Sequence, residues 1–332
     1  MPGLHHLIMT TLFSTPRNPV PTGAVCATFE GVGGVPIRYA RWAATAERRL
    51  GTVCLFGGRG EYIEKYFETI ADLRRRGFAV ATMDWRGQGG SGRLLKSAAK
   101  GHARTFSDHD EDVRRFMRTI VLPDCPPPYF CLAHSMGGQL ILRHLTRKSC
   151  WWDRVVLSAP LMGYAGSDAQ NHWRCFVARA AALFGMGRLY IPGGRANSPE
   201  GTSFDDNKLT SDRSRFDTAR DILRSAPQLG IGSPTLGWVA AACASFGKVR
   251  NPEFMERIAV PILIVAAGND EIASTNASEV FASRLKLCTR IVIAGAKHEI
   301  MQERDEFRDQ FWAAFDAFVP GSNVGDRRLE PV

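Results

Sequence analysis

Residues 129–138 read Tyr-Phe-Cys-Leu-Ala-His-Ser-Met-Gly-Gly, and no other stretch of the chain narrows the choice of fold as much. A short run of β-type residues passes through a serine into a Gly-rich turn, and a helix-like segment, 139–148, follows at once. A serine at such a strand-to-helix turn is carried on a sharp bend. Its hydroxyl is exposed there, and the next backbone N–H points into the same space. Ser135 is therefore the candidate nucleophile. The rest of the chain must supply a base, a group that orients the base, and donors for an oxyanion.

The chain around this turn alternates in the way a parallel sheet requires. Runs 24–30 and 36–42 flank the turn Gly31-Val32-Gly33-Gly34 and read as a hairpin. Run 52–56 is continuously apolar, as expected of a strand buried on both faces. It ends in Gly57-Gly58-Arg59-Gly60, and Tyr62, Tyr66, Ile70 and Leu73 then recur at helical spacing before Gly77. The unit repeats with a strand at 78–83 and a helix at 106–121 that is acidic at its start, which suits the positive end of a helix dipole. Strands are also expected at 129–134, 154–159, 261–267 and 290–294, and a last helix carries Phe307, Phe311, Phe315 and Phe318 on one face as core packing. Eight strands alternating with helices predict an α/β fold, a mostly parallel sheet covered on both faces.

The alternation stops between 161 and 259. Stretches 171–184, 216–225 and 236–246 look helical, and Gly- and Pro-rich joints such as Ile191-Pro192-Gly193-Gly194 lie between them. This segment is expected to be an inserted helical cap. The core is then 24–160 together with 260–319. Residues 1–23, with four prolines, are expected to form a flexible arm, and 320–332 a polar tail.

A serine hydroxyl attacks well only if a base takes its proton, and the base needs a partner that fixes its tautomer and steadies its charge. In an α/β sheet such groups gather at the carboxyl ends of strands. Asp270 follows 262–267 through Gly268-Asn269, with Glu271 in reserve. An Asp after Gly-Asn is also a common way to make a turn. His298 lies behind the last strand, downstream of both partners. The other seven histidines fit less well; His134 adjoins the serine on the wrong side of the turn. The order Ser, Asp, His is the one that nucleophile elbows on such sheets use. For the oxyanion, the N–H of Met136 is the first donor and that of Arg59 the second, since small residues at 57–60 allow close backbone approach. A phosphate cradle at 57–60 would need the Lys-Ser/Thr of a P-loop, which is missing.

Composition excludes little and constrains the partners. With 45% hydrophobic and 23% charged residues the chain can build a large core. The formal charge of +9 suits an anionic membrane surface, and no nucleic-acid motif accompanies it. None of the eight cysteines form a Cys-x-x-Cys pair, and Cys54 and Cys131 fall in apolar runs as small hydrophobes, which implies a reducing compartment. No apolar run of about 18 residues is present, and the N-terminus lacks a basic region followed by an apolar stretch. The expectation is a cytoplasmic protein in peripheral contact with the inner face of the membrane, without metal or cofactor.

Several motifs together resemble the α/β-hydrolase superfamily, and within it the bacterial lysophospholipase and monoacylglycerol-lipase branch, which is similar to serine aminopeptidases. They are Gly58-Arg59-Gly60-Glu61-Tyr62, Asp84-Trp85-Arg86-Gly87-Gln88-Gly89-Gly90-Ser91-Gly92-Arg93, Ala133-His134-Ser135-Met136-Gly137-Gly138, Leu157-Ser158-Ala159-Pro160, Asn207-Lys208-Leu209-Thr210-Ser211-Asp212, Gly268-Asn269-Asp270 and Lys297-His298-Glu299. Two positions depart from the pattern: Ala133 stands for the first Gly of Gly-x-Ser-x-Gly, and Gly57 stands where members often carry His. The resemblance implies the α/β-hydrolase fold, a cap over the site, no metal, and fatty-acid esters as substrates. It also implies that Asp84 fixes a turn near the site. The Leu, Met, Phe and Trp residues of the cap would shield an acyl chain. A peptidase reading would need cap acids for a free amine, and Glu200, Asp205 and Asp206 are the candidates. A non-catalytic binding protein on the same scaffold would leave an intact Ser135, Asp270 and His298 without a purpose.

Overall fold

The continuous apolar runs become the centre of one eight-stranded sheet, in the order β1-β2-β4-β3-β5-β6-β7-β8. The computed structural model describes residues 10–146, 150–198, 201 and 203–321. The strands are β1 (Val25–Glu30), β2 (Pro36–Trp42), β3 (Gly51–Phe56), β4 (Phe78–Met83), β5 (Tyr129–His134), β6 (Arg154–Ser158), β7 (Ile262–Ala267) and β8 (Cys288–Ile293). β3 pairs parallel with both β4 and β5, and β5 through β8 continue parallel; β2 runs against both β1 and β4.

Side chains alternate across a strand, and this chain uses both faces. Cys54, Phe56, Cys131, Ala133, Val155 and Leu157 enter one core cluster, whereas Val53, Leu55, Phe130, Leu132 and Val156 enter the other. On the second face lie α1 (Phe67–Arg75) and, later in the chain, the helix Asp305–Phe318, whose Phe307, Phe311 and Phe315 are buried as the sequence predicts. The first face carries α2 (Ser107–Phe116), α3 (Leu122–Asp124) and α4 (Met136–His144). The expected helix over 106–121 is interrupted, because Met117–Val121 widens into a π-turn.

Between β6 and β7 the chain leaves the sheet and forms α5 (Asp168–Leu183), α6 (Arg213–Ser225), α7 (Leu236–Val249) and α8 (Pro252–Met255). α5 packs along α7 and starts in a capping box on Ser167. After β7 come α9 (Thr275–Ser283), which no sequence pattern announced, then β8 and α10 (Asp305–Phe318).

Two expectations need correction. Cys175 of α5 and Cys243 of α7 form a disulfide, so the cysteines are not all thiols, and the thiol argument for a reducing compartment falls away. Residues 10–23 are held against the core rather than loose. The Phe13 N–H and the Asn18 amide donate to the Glu64 carboxylate and carbonyl, and the Pro21 carbonyl accepts from Trp42 Nε1 at 3.0 Å. Residues 1–9 and nearly all of the expected tail lie outside the described residues.

Candidate active site

Ser135 sits between β5 and α4 at φ 49°, ψ −117°, a conformation an L-residue adopts only under constraint. The constraint comes from its neighbours. Its N–H donates to the Ser158 carbonyl at 3.0 Å, and its own carbonyl accepts from Gln139 and Leu161. Gly137 is needed at the turn: a Cβ there would stand 2.5 Å from the Gly57 carbonyl oxygen and 2.8 Å from that of Phe56. Ala133 occupies the first Gly position with its methyl in the core and no exposure.

The three residues chosen for nucleophile, base and acid converge. His298 Nε2 is 2.8 Å from Ser135 Oγ, and Nδ1 is 2.8 Å from Asp270 Oδ2. The second carboxylate oxygen of Asp270 accepts the N–H groups of Ile272 and Ala273, each at 2.8 Å. Asp270 is an acceptor throughout, so Nδ1 carries the ring proton and Nε2 is left to accept from the serine hydroxyl. Burial alone would raise the Asp270 carboxyl; the His298 ring and the two amide donors outweigh it and hold it below its ordinary value. Glu271, the reserve acid, instead pairs with Lys208 at 2.9 Å on the surface.

The loop 57–61 lies against Ser135. A Cβ on Gly58 would stand 3.1 Å from Ser135 Cβ. The Gly58 N–H is taken by the Glu61 carboxylate, which also accepts the Tyr66 hydroxyl. Gln88, from the motif at 84–93, fastens the same loop: its amide donates to the Gly58 and Glu61 carbonyls, and its oxygen accepts the Gly60 N–H. Asp84 makes the turn expected of it, accepting from Ile63 N–H, Gly90 N–H and Arg38. The Arg59 side chain turns to the cap, where it donates to the Gly232 carbonyl and stacks over Trp238. Met136 opens α4 directly behind the serine.

Sequence reading missed the depth of this assembly. Lys65 and Glu61 form a buried group beside His134, whose ring centroid is 4.8 Å from that of His298. Burial presses the His134 imidazole down to about 4, so it is neutral near pH 7. The motif at 207–212 reaches the loop of His298: the Glu299 N–H donates to the Leu209 carbonyl and Lys297 Nζ to the Asn207 carbonyl. Glu303 ties both segments by accepting from Ser211 and Lys297. Of the cap acids, Asp205 and Asp206 are exposed, and Glu200 lies outside the described residues.

The cap's large apolar residues divide. Trp238 and Phe246 of α7 are buried, whereas Trp173 (66% exposed), Phe176, Leu183 and Phe184 face outward. The apolar cap residues expected to shield an acyl chain thus include an outward-facing group on and just after α5. Among the described residues no helix is long and apolar enough to cross a membrane, and no three His, Cys, Asp or Glu side chains converge as a metal site.

Residues 47–305 match the family described as serine aminopeptidase, S33. The chain is 30% identical over 292 residues to lysophospholipase L2 of Escherichia coli K12, covering 85% of this chain and 83% of that protein. It is 34% identical over 282 residues to a monoacylglycerol lipase of Mycolicibacterium smegmatis, covering 84% and 91%. Its fold is similar to that of a soluble variant of monoglyceride lipase from Saccharomyces cerevisiae, with a TM-score of 0.71, 20% identity, and coverage of 92% of this chain and 97% of that one. With the sheet order, the elbow and the family match in agreement, this chain belongs to the serine aminopeptidase S33 family of α/β-hydrolases.

Proposed function

We propose that this protein is a serine carboxylic ester hydrolase that cleaves the acyl ester of a lysophospholipid or a monoacylglycerol. The observation that carries the reading is the unbroken chain from Ser135 Oγ through His298 to Asp270, with 2.8 Å at each link. Ser135 attacks the acyl carbonyl as His298 Nε2 takes its proton. Asp270 holds the ring and steadies the imidazolium. The oxyanion is received by the N–H groups of Met136 and Arg59. When the tetrahedral species collapses, His298 returns the proton to the departing alcohol, and the acyl group stays on Ser135. A water deprotonated by His298 then releases the fatty acid. The choice of a lipid ester rests on the relatives, which are named for lysophospholipids and monoacylglycerols.

The reading extends to a lipid surface. The outward face of α5 presents Trp173, Phe176 and Leu183 beside Arg174 and Arg179, a combination that suits the boundary between acyl chains and anionic headgroups.

The test is a substrate panel of lysophospholipids, monoacylglycerols and aminoacyl-arylamides, run beside Ser135→Ala. Turnover of the first two classes that vanishes in the variant is the expected result. Undiminished ester turnover in Ser135→Ala refutes the mechanism, and preference for the arylamides would favour the aminopeptidase reading. Failure of a fluorophosphonate to label the folded wild type would favour a non-catalytic scaffold.

A further inference from the structure

Lys65 is a charged side chain placed where lysine is rarely found. Its side chain is 3% exposed, and its ammonium lies 2.6 Å from Glu299 Oε1 and 3.4 Å from Glu61 Oε1. The two carboxylates belong to the two loops that the reaction must hold in register. Glu61 takes the Gly58 N–H and so shapes the loop that presents the Arg59 amide. Glu299 follows His298 directly in the chain. Lys65 and Glu299 are 234 residues apart in the chain, and the Lys65 carbonyl also accepts from Gln302 Nε2 at 3.0 Å.

We propose that Lys65 is a positioning residue for this site: its buried ammonium clamps the oxyanion loop to the loop of the base and sets the charge against which His298 is protonated. The proposal rests on the reading of Ser135 and His298 as nucleophile and base. The groups around His298 define the effect. Asp270 is bonded to Nδ1, neutral His134 packs on the ring, Glu61 Oε1 stands 4.0 Å behind His134 Nε2, and Glu299 adjoins in sequence. Asp270 is thus the carboxylate bonded to the imidazole, and Glu61 is held behind His134. Lys65 bridges Glu61 and Glu299 and so links this group to the loop of His298. Without it, Glu61 and Glu299 would keep a buried charge with less compensation, a costly arrangement that also frees the two loops from each other.

The clamp and a merely structural lysine differ in one observable. Loss of a nearby positive charge makes the imidazolium easier to form, so the acid limb of the pH–rate profile moves to higher pH. Loss of packing alone lowers the rate at every pH and leaves the limb in place.

The experiment follows the rate at which a fluorophosphonate labels Ser135 as a function of pH, which requires no knowledge of the natural ester. In Lys65→Met the acid limb is expected to rise by at least about half a pH unit, and the plateau rate to fall about tenfold or more as the loops lose register. Lys65→Arg, which keeps the charge, should restore the limb. Lys65→Met/Glu299→Gln removes a charge of each sign and should bring the limb back toward wild type; if Lys65→Met does not fold, Lys65→Gln takes its place in both comparisons. A folded Lys65→Met with an unmoved limb overturns the proposal, as does a double variant that leaves the limb where Lys65→Met put it. If the wild type is not labelled at all, the nucleophile reading has failed instead, and this outcome is distinct from the other two.

Discussion

Replacing Asp270 by Asn tests the site with a change of one atom. The two oxygens of Asp270 face different partners: one accepts the N–H groups of Ile272 and Ala273, the other accepts from His298 Nδ1. An asparagine has one oxygen and one NH2 group for these places. If its oxygen stays with the two amides, the NH2 group faces Nδ1. The ring must then carry its proton on Nε2, and it can no longer accept from Ser135. The productive tautomer requires the reverse placement, with the NH2 group turned against two N–H donors. That forfeits two buried hydrogen bonds, at about 1–3 kcal/mol each. A total of about 2–6 kcal/mol corresponds to a loss of about 30-fold to 3 × 10⁴-fold in kcat, with KM little changed. The assay is hydrolysis of a short p-nitrophenyl ester at saturation, with thermal unfolding confirming the fold. A folded Asp270→Asn within tenfold of wild type would refute the tautomer argument and direct attention to Glu271.

Two further outcomes follow from burial. Desolvation lowers the His109 imidazole to about 3 and that of His134 to about 4, against an ordinary value of 6.5, so between those limits the unfolded chain binds protons that the folded chain does not. Stability should therefore fall as pH drops from about 6.5 toward 4, by up to about 1.4 kcal/mol per pH unit for each histidine; urea midpoints that stay constant from pH 7 to 5 would contradict this, and His109→Gln should reduce the slope. At the lipid surface, wild type should sediment with vesicles containing an anionic phospholipid and release in high salt. Trp173→Ser/Phe176→Ser should weaken partitioning at least about tenfold, from about 1.5–3 kcal/mol per buried side chain, and equal sedimentation of the two proteins would rule out this face.

The sheet was legible because its inner strands are buried on both sides. β3, β4 and β7 have no exposed residue and read as largely apolar runs, and Ser135, Asp270 and His298 could be placed by reference to strand ends. The edges were less clear: β8 begins with Cys288 and Thr289, half-exposed or exposed, and the reading started it two residues late. α9 escaped notice because only Ser278 and Phe281 of its nine residues are buried, too few for a periodic stripe. The supports of the site were the least visible. Glu61, Lys65 and Gln88 look like surface residues in a linear chain; their partners come from distant loops, and no spacing rule connects Lys65 with Glu299. The same holds for Cys175 and Cys243, 68 residues apart.

That sulfur bridge makes the helical insertion a covalent ring. It closes through α5 and α7 and carries α6 on its circumference. The ring is moored to the sheet domain at separate points: Tyr62 donates its hydroxyl to the Ala219 carbonyl, Arg215 grips Glu68, and Arg59 holds the Gly232 carbonyl. Ser135 and His298 are only 6% and 3% exposed. α5 and α7 cannot separate at Cys175 and Cys243 while the sulfurs are joined. The moorings at Arg59, Tyr62 and Arg215 mark where movement of that ring against the sheet would meet resistance.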